Sequence, residues 1–84
     1  VGLITAWNFP ISIANYGLIT ALLAGNAVIW KPSEHAPRCS KFLFDVYAEA
    51  LGAEFAPLVQ LVLGAQAQGE AIVASNVQVI SFTG

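Results

Sequence analysis

Four short groups hold nearly all the residues of this chain that could do chemistry. They are Thr5-Ala6-Trp7-Asn8-Phe9-Pro10, Lys31-Pro32-Ser33-Glu34, Gly64-Ala65-Gln66-Ala67-Gln68-Gly69 and Ser81-Phe82-Thr83-Gly84. Together they offer a side-chain amide, an ammonium and a carboxylate three residues apart, and glycines that let a ligand come close to the backbone. Several chemistries are excluded at once. With His35 as the single histidine and no CxxC or HExxH pattern, neither a Ser-His-Asp set nor a metal site has its ligands. The Gly64–Gly69 stretch has the glycine spacing of a phosphate loop, but Glu70-Ala71 stands where lysine and Ser/Thr are required. No GxGxxG follows the first strand-like run, so a nucleotide site here must be a variant of the usual dinucleotide fold.

Taken singly, each group also has a plain structural reading. Asn8 before Phe9-Pro10 suits a helix cap. Lys31 and Glu34 read as loop charges, Gly64 and Gly69 as turn glycines, and Thr83-Gly84 as a turn. His35 reads as a solvated loop residue. Cys39 falls on the apolar stripe of an expected helix, which makes it a buried, inert thiol.

The elements that position these groups alternate. Val1–Ala6 is a short apolar run, followed by a turn in which Pro10 suits a helix's first position. Residues 11–24 form an expected helix, apolar nearly all round, which Gly25 stops. Ala27–Lys31 is the second strand, and Pro32 and Pro37 bound the loop after it. The helix after Pro37 carries Cys39, Phe42, Leu43, Val46, Tyr47, Ala50 and Leu51 at the spacing of one buried stripe and ends at Gly52. Val59–Leu63 is the third strand, Gly64–Gly69 a turn, Glu70–Ala74 a short helix and Val77–Phe82 the fourth strand. Short β-branched strands separated by helices predict a parallel α/β sheet, β-α-β-α-β-α-β, a partial Rossmann-like fold. Ligands of such sheets gather at the carboxyl ends of the strands, where all four polar groups lie.

Composition bounds the rest. In 84 residues, hydrophobic types make up 57% and charged types 10%, too few charges to coat a small globule. The chain starts without methionine in a strand-like run and ends at a strand end, so it is expected to be part of a larger domain. A net charge of −2 with three basic residues gives no footprint for nucleic acid. Residues 1–30 lack any charged side chain, which raises a membrane hairpin over residues 11–30 as an alternative. Asn8, Pro10, Asn15, Gly25 and Asn26 interrupt the run, so a spanning helix is not expected, nor, without a basic n-region, a signal peptide. One cysteine is compatible with a reducing compartment, and a cytoplasmic place is expected.

In register, the Trp-Asn-Phe-Pro turn, the Gly25-Asn26 to Lys31-Pro32-Ser33-Glu34 strand end and the Ser81-Phe82-Thr83-Gly84 strand end resemble the cofactor domain of the aldehyde dehydrogenase superfamily. The resemblance covers the whole chain. It departs at Ala6 and Leu63, where proline is common. It implies that Asn8 is the oxyanion-hole amide, that Lys31 and Glu34 hydrogen-bond the adenosine ribose, and that Ser33 lines the same loop. It also implies cofactor contacts at Thr5, Ala6 and Trp7, close backbone approach at Gly64 and Gly69, and a pyrophosphate site reached through Phe82, Thr83 and Gly84. Glu34 would repel a 2′-phosphate, favouring NAD, with NADP possible. The implied reaction oxidises an aldehyde to a carboxylic acid through a cysteine nucleophile and a glutamate base, both expected beyond Gly84. The whole enzyme is expected to be a homo-oligomer, and this piece alone inactive. The alternative from another class is a non-catalytic α/β nucleotide-binding or interaction module.

Overall fold

Gly2–Ile4 forms strand β1, Ser12–Leu23 helix α1, Val28–Lys31 β2, Pro37–Phe55 α2, Val59–Leu61 β3, Gln66–Val73 α3 and Ile80–Phe82 β4, in a computed structural model that describes residues 1–84. The strands make one sheet in the order β3-β2-β1-β4, with every pair parallel. The partial Rossmann-like α/β class expected from the pattern is the observed one. The chain advances from β1 to β2 to β3 in one direction and then returns past both to place β4 on the far side of β1.

That reversal puts helices on both faces. Successive strand residues point to opposite sides, and β1 shows the split. The Leu3 side chain reaches α1, where a Cβ added at Gly17 would meet Leu3 Cδ1 at 2.7 Å. A Cβ at Gly2 would instead meet Ile72 of α3 at 2.8 Å. The main core lies on the Leu3 side and joins Leu3, Ala14, Leu18, Val28, Trp30, Leu43 and Val59. Ile72 is the buried residue of α3 on the other face.

The helix ends follow from local chemistry. Pro10 has no N–H to lose in the first turn, which starts with Ile13 N–H donating to the Phe9 carbonyl at 3.1 Å. Gly25, at φ 87°, closes α1 in a Schellman motif. Its N–H donates to the Leu22 carbonyl and that of Asn26 to the Ala21 carbonyl, both at 3.0 Å. Gly52 leaves helical geometry at φ 78°, ψ 169°, so the regular part of α2 stops where the glycine stands, and a short turn follows to Phe55.

Two expectations need correction here. Cys39 is exposed, and so are Phe42, Val46 and Ala50. The face of α2 turned to the core runs through Ser40, Leu43, Tyr47 and Leu51. The stripe is rotated because Ser40 can be buried at little cost: its hydroxyl donates to the Ala36 carbonyl at 2.7 Å. Secondly, α3 begins at Gln66 and takes in most of the stretch read as a turn. Gln68 Oε1 accepts the Ala65 N–H at 3.0 Å, half of a capping box, and Gln66 Nε2 donates to Glu70 Oε1 at 2.7 Å.

The Tyr47 hydroxyl donates to Asn15 Oδ1 at 2.6 Å and ties α2 to α1. Burial pushes its pKa above the ordinary 10.0. The folded state therefore holds the phenol proton more tightly than the unfolded chain. The contribution is intact below pH 10 and is lost as pH rises through the folded pKa. Tyr47→Phe is expected to cost about 1 kcal/mol near neutrality and to flatten the loss of stability above pH 10. Denaturant melts at pH 8 and pH 11 check both; an identical alkaline slope in the variant would sink the assignment.

No helix is long and apolar enough to cross a membrane. Apolar side chains remain exposed on the outer face of α1 at Tyr16, Ile19 and Leu23, and all three β4 residues are exposed.

Candidate functional site

A crevice of about 550 Å³ opens at the carboxyl ends of β1, β2 and β4, roofed by α3. It lies where the strand order reverses, between β1 and β4, the place at which open α/β sheets bind ligands. Its size falls in the roughly 300–1,000 Å³ range of small-molecule sites. Its walls are Ile4, Thr5, Ala6 and Trp7 from β1, Lys31, Ser33 and Glu34 from β2, and Phe82, Thr83 and Gly84 from β4. Ala65, Gln66, Gly69, Glu70, Val73 and Ala74 close it from the α3 side.

Ten of the twelve residues singled out in the sequence thus meet in one place: Thr5, Ala6, Trp7, Lys31, Ser33, Glu34, Gly69, Phe82, Thr83 and Gly84. Asn8 and Gly64 do not line it. Asn8 sits exposed on the turn beyond Trp7, and no side chain caps α1, so the helix-cap reading of Asn8 fails. Gly64 lies in the approach to α3 at φ 152°, with the Gln68 side chain packed over its Cα, so a side chain there would be strained. Sequence reasoning missed the α3 wall, notably Gln66 and Glu70. The Gln66-to-Glu70 spacing was the available signal, masked by reading the glycines as a turn.

Lys31 dominates the electrostatics. Its side chain is only 6% exposed, while that of Glu34 is 49% exposed. Nζ donates to the Pro32 carbonyl at 3.1 Å and lies 3.9 Å from Glu34 Oε2. An ammonium has three donors, and the protein satisfies one at hydrogen-bond distance. The lysine stem passes close to α3 at Gly69, where a Cβ would lie in ordinary van der Waals contact, 3.7 Å from Lys31 Cδ. His35 Nε2 stands 3.9 Å from the other oxygen of Glu34 and is itself 69% exposed. No group of three or more His, Cys, Asp or Glu converges as a metal site.

The crevice is held at its base by the sheet. Thr5 N–H donates to the Lys31 carbonyl at 3.2 Å, and Thr83 N–H to the Ile4 carbonyl at 2.9 Å. Inside the core, Trp30 Nε1 donates to Thr5 Oγ1 at 3.0 Å.

A parallel sheet that reverses at a ligand-sized crevice beyond its strand ends defines the Rossmann-like class. Comparison with known proteins narrows it. The model of the aldehyde dehydrogenase family matches residues 1–84. N-succinylglutamate 5-semialdehyde dehydrogenase 2 of Caulobacter vibrioides is 38% identical over 78 residues, covering 93% of this chain and 16% of that protein. The 2,5-dioxopentanoate dehydrogenase of Saccharolobus solfataricus is 41% identical over 86 residues, covering 100% of this chain and 18% of the relative. A betaine aldehyde dehydrogenase of Bacillus subtilis is 37% identical over 83 residues, covering 99% and 17% respectively. No solved structure matches the chain. The chain belongs to the aldehyde dehydrogenase family. It spans less than a fifth of the length of the relatives it matches.

Proposed function

We propose that residues 1–84 are part of the dinucleotide-binding domain of a longer, NAD-dependent aldehyde dehydrogenase, homo-oligomeric and cytoplasmic, that converts an aldehyde to a carboxylic acid. The observation that carries this reading is the buried Lys31 ammonium, with donors to spare, beside a half-exposed carboxylate at the switch-point crevice. A ribose diol needs that pairing, because its hydroxyls both donate and accept. Lys31 would donate to one hydroxyl and Glu34 would accept from the other. Thr5, Ala6 and Trp7 would flank the bound molecule from β1, Ser33 from the β2 loop, Gly69 from α3 and Phe82, Thr83 and Gly84 from β4. A bound nicotinamide would supply the acceptor for the hydride that leaves the former aldehyde carbon. Asn8 supplies a neutral N–H to the oxygen of the aldehyde carbon as it becomes tetrahedral. The cysteine nucleophile and the glutamate that activates water belong to chain outside these residues.

Glu34 favours NAD over NADP by repelling a 2′-phosphate. In the full-length enzyme, Glu34→Gln is expected to raise the NADP-to-NAD ratio of kcat/KM about ten-fold, since like charges brought together cost kilocalories. Steady-state kinetics with both cofactors and fluorescence titration of NADH and NADPH measure it. A full-length protein that oxidises no aldehyde with NAD would sink the functional reading. An unchanged ratio would sink only the role of Glu34.

A further inference from the structure

The stretch that presents Asn8 is anchored at its two ends only. Ala6, Trp7 and Asn8 make no hydrogen bond, backbone or side chain. After them the chain is next fixed at Phe9, whose carbonyl accepts from Ile13 in the first turn of α1. Before them it is fixed at Thr5, by two bonds to β2: the backbone N–H to the Lys31 carbonyl, and the hydroxyl accepting from Trp30 Nε1. Thr5 is 4% exposed and Trp30 is fully buried at 0%, so neither group can exchange its partner for water. The indole N–H has Thr5 Oγ1 as its one acceptor.

We propose that Thr5 and Trp30 are positioning residues for the oxyanion donor, the indole–hydroxyl bond fixing the direction in which the chain leaves β1 and so where the Asn8 amide stands. The proposal rests on the reading of Asn8 given above. The Lys31 side chain is anchored by its own hydrogen bond to the Pro32 carbonyl and not by the indole–hydroxyl bond, so turnover and cofactor affinity should part company.

The test uses the full-length enzyme. Thr5→Val keeps the shape and removes the acceptor. A small misplacement of a reacting group can cost a hundred-fold in rate, and here kcat is expected to fall on the order of ten-fold, with KM for NAD and aldehyde within about two-fold. Thr5→Ser restores the acceptor and should restore kcat. Trp30→Phe should lower kcat similarly, and the double variant should be no worse than the poorer single one, since both break one bond. Val59→Ala, at the start of β3 with its side chain in the core, gives a control that loses stability and keeps kcat. Unchanged kcat in Thr5→Val, alongside a large loss in Asn8→Ala, overturns the proposal and leaves the oxyanion role standing. A rise in KM for NAD at constant kcat, or failure of Thr5→Ser to restore turnover, overturns it too. Full turnover in Asn8→Ala overturns both at once.

Discussion

Asn8→Ala in the full-length enzyme is expected to lower kcat roughly 10²- to 10³-fold, with KM for the aldehyde and NAD little changed. The sign follows from timing. The aldehyde oxygen carries little charge in the bound state and nearly a full charge once its carbon is tetrahedral. An amide donor placed at that oxygen therefore gains most of its interaction energy on the way to the transition state, and its loss is felt in turnover rather than in binding. The magnitude corresponds to about 3–4 kcal/mol for one preorganised donor. Asn8 is exposed and takes part in no hydrogen bond of the fold, so the alanine variant should melt within about 0.5 kcal/mol of the parent. Pre-steady-state measurement of NADH formation separates the chemical step from product release. A full-amplitude burst at the parental rate would remove Asn8 from the chemistry.

Lys31→Met should have the opposite signature: affinity lost, stability kept. Methionine preserves the apolar stem that runs beside Gly69 and deletes the ammonium. Charge-assisted hydrogen bonds are worth about 1.5–3 kcal/mol each, so the dissociation constant for NADH should rise on the order of 10- to 100-fold. The folded protein should not suffer in proportion. The ammonium is nearly buried, meets one carbonyl at hydrogen-bond distance and faces a carboxylate 3.9 Å away that water already solvates. Such an arrangement returns little for the desolvation it imposes, and replacing it by an apolar isostere is commonly neutral or stabilising. Titration of NADH fluorescence and a thermal melt without cofactor read the two halves. A collapsed melting temperature with unaltered affinity would make Lys31 a structural tether and leave the crevice without its main ligand group.

The sequence alone carried the order of elements, because β-branched runs, Pro10, Gly25, Pro37 and Gly52 each act locally and need no knowledge of the rest of the chain. Most of the crevice was legible for a related reason: in a parallel sheet all strands end on the same side, so polar residues at strand ends must meet. The misreadings came from positions where two local rules compete. Ser40 is polar and Cys39 apolar, so hydropathy favoured burying the cysteine; a hydroxyl bonded back to Ala36 reverses that choice. Gly64 and Gly69 look like matching turn residues, yet Gly69 lies inside α3, whose first turn is closed by the Gln68 side chain accepting the Ala65 N–H. The strand order had no local signal. A run of β-α units specifies parallel neighbours, and whether the fourth strand continues the series or returns to β1 is decided by which sheet edge its helix can cover.

That return also has a consequence in time. The β1–β2 and β2–β3 ladders join residues roughly 30 apart in the chain, whereas the β1–β4 ladder, with Gly2 beside Ile80, spans roughly 80. Closing the longest loop costs the most chain entropy and is rewarded only after the inner strands have assembled. The β4 wall of the crevice, Phe82 to Gly84, hangs on this last ladder. A chain with β1, β2 and β3 already paired would hold Lys31 and Glu34 in place and still lack the β4 wall of the crevice. On the proposed function, competence to bind a nucleotide arrives together with the most distant pairing in the chain, so such a ligand would favour the completed sheet over its three-stranded precursor.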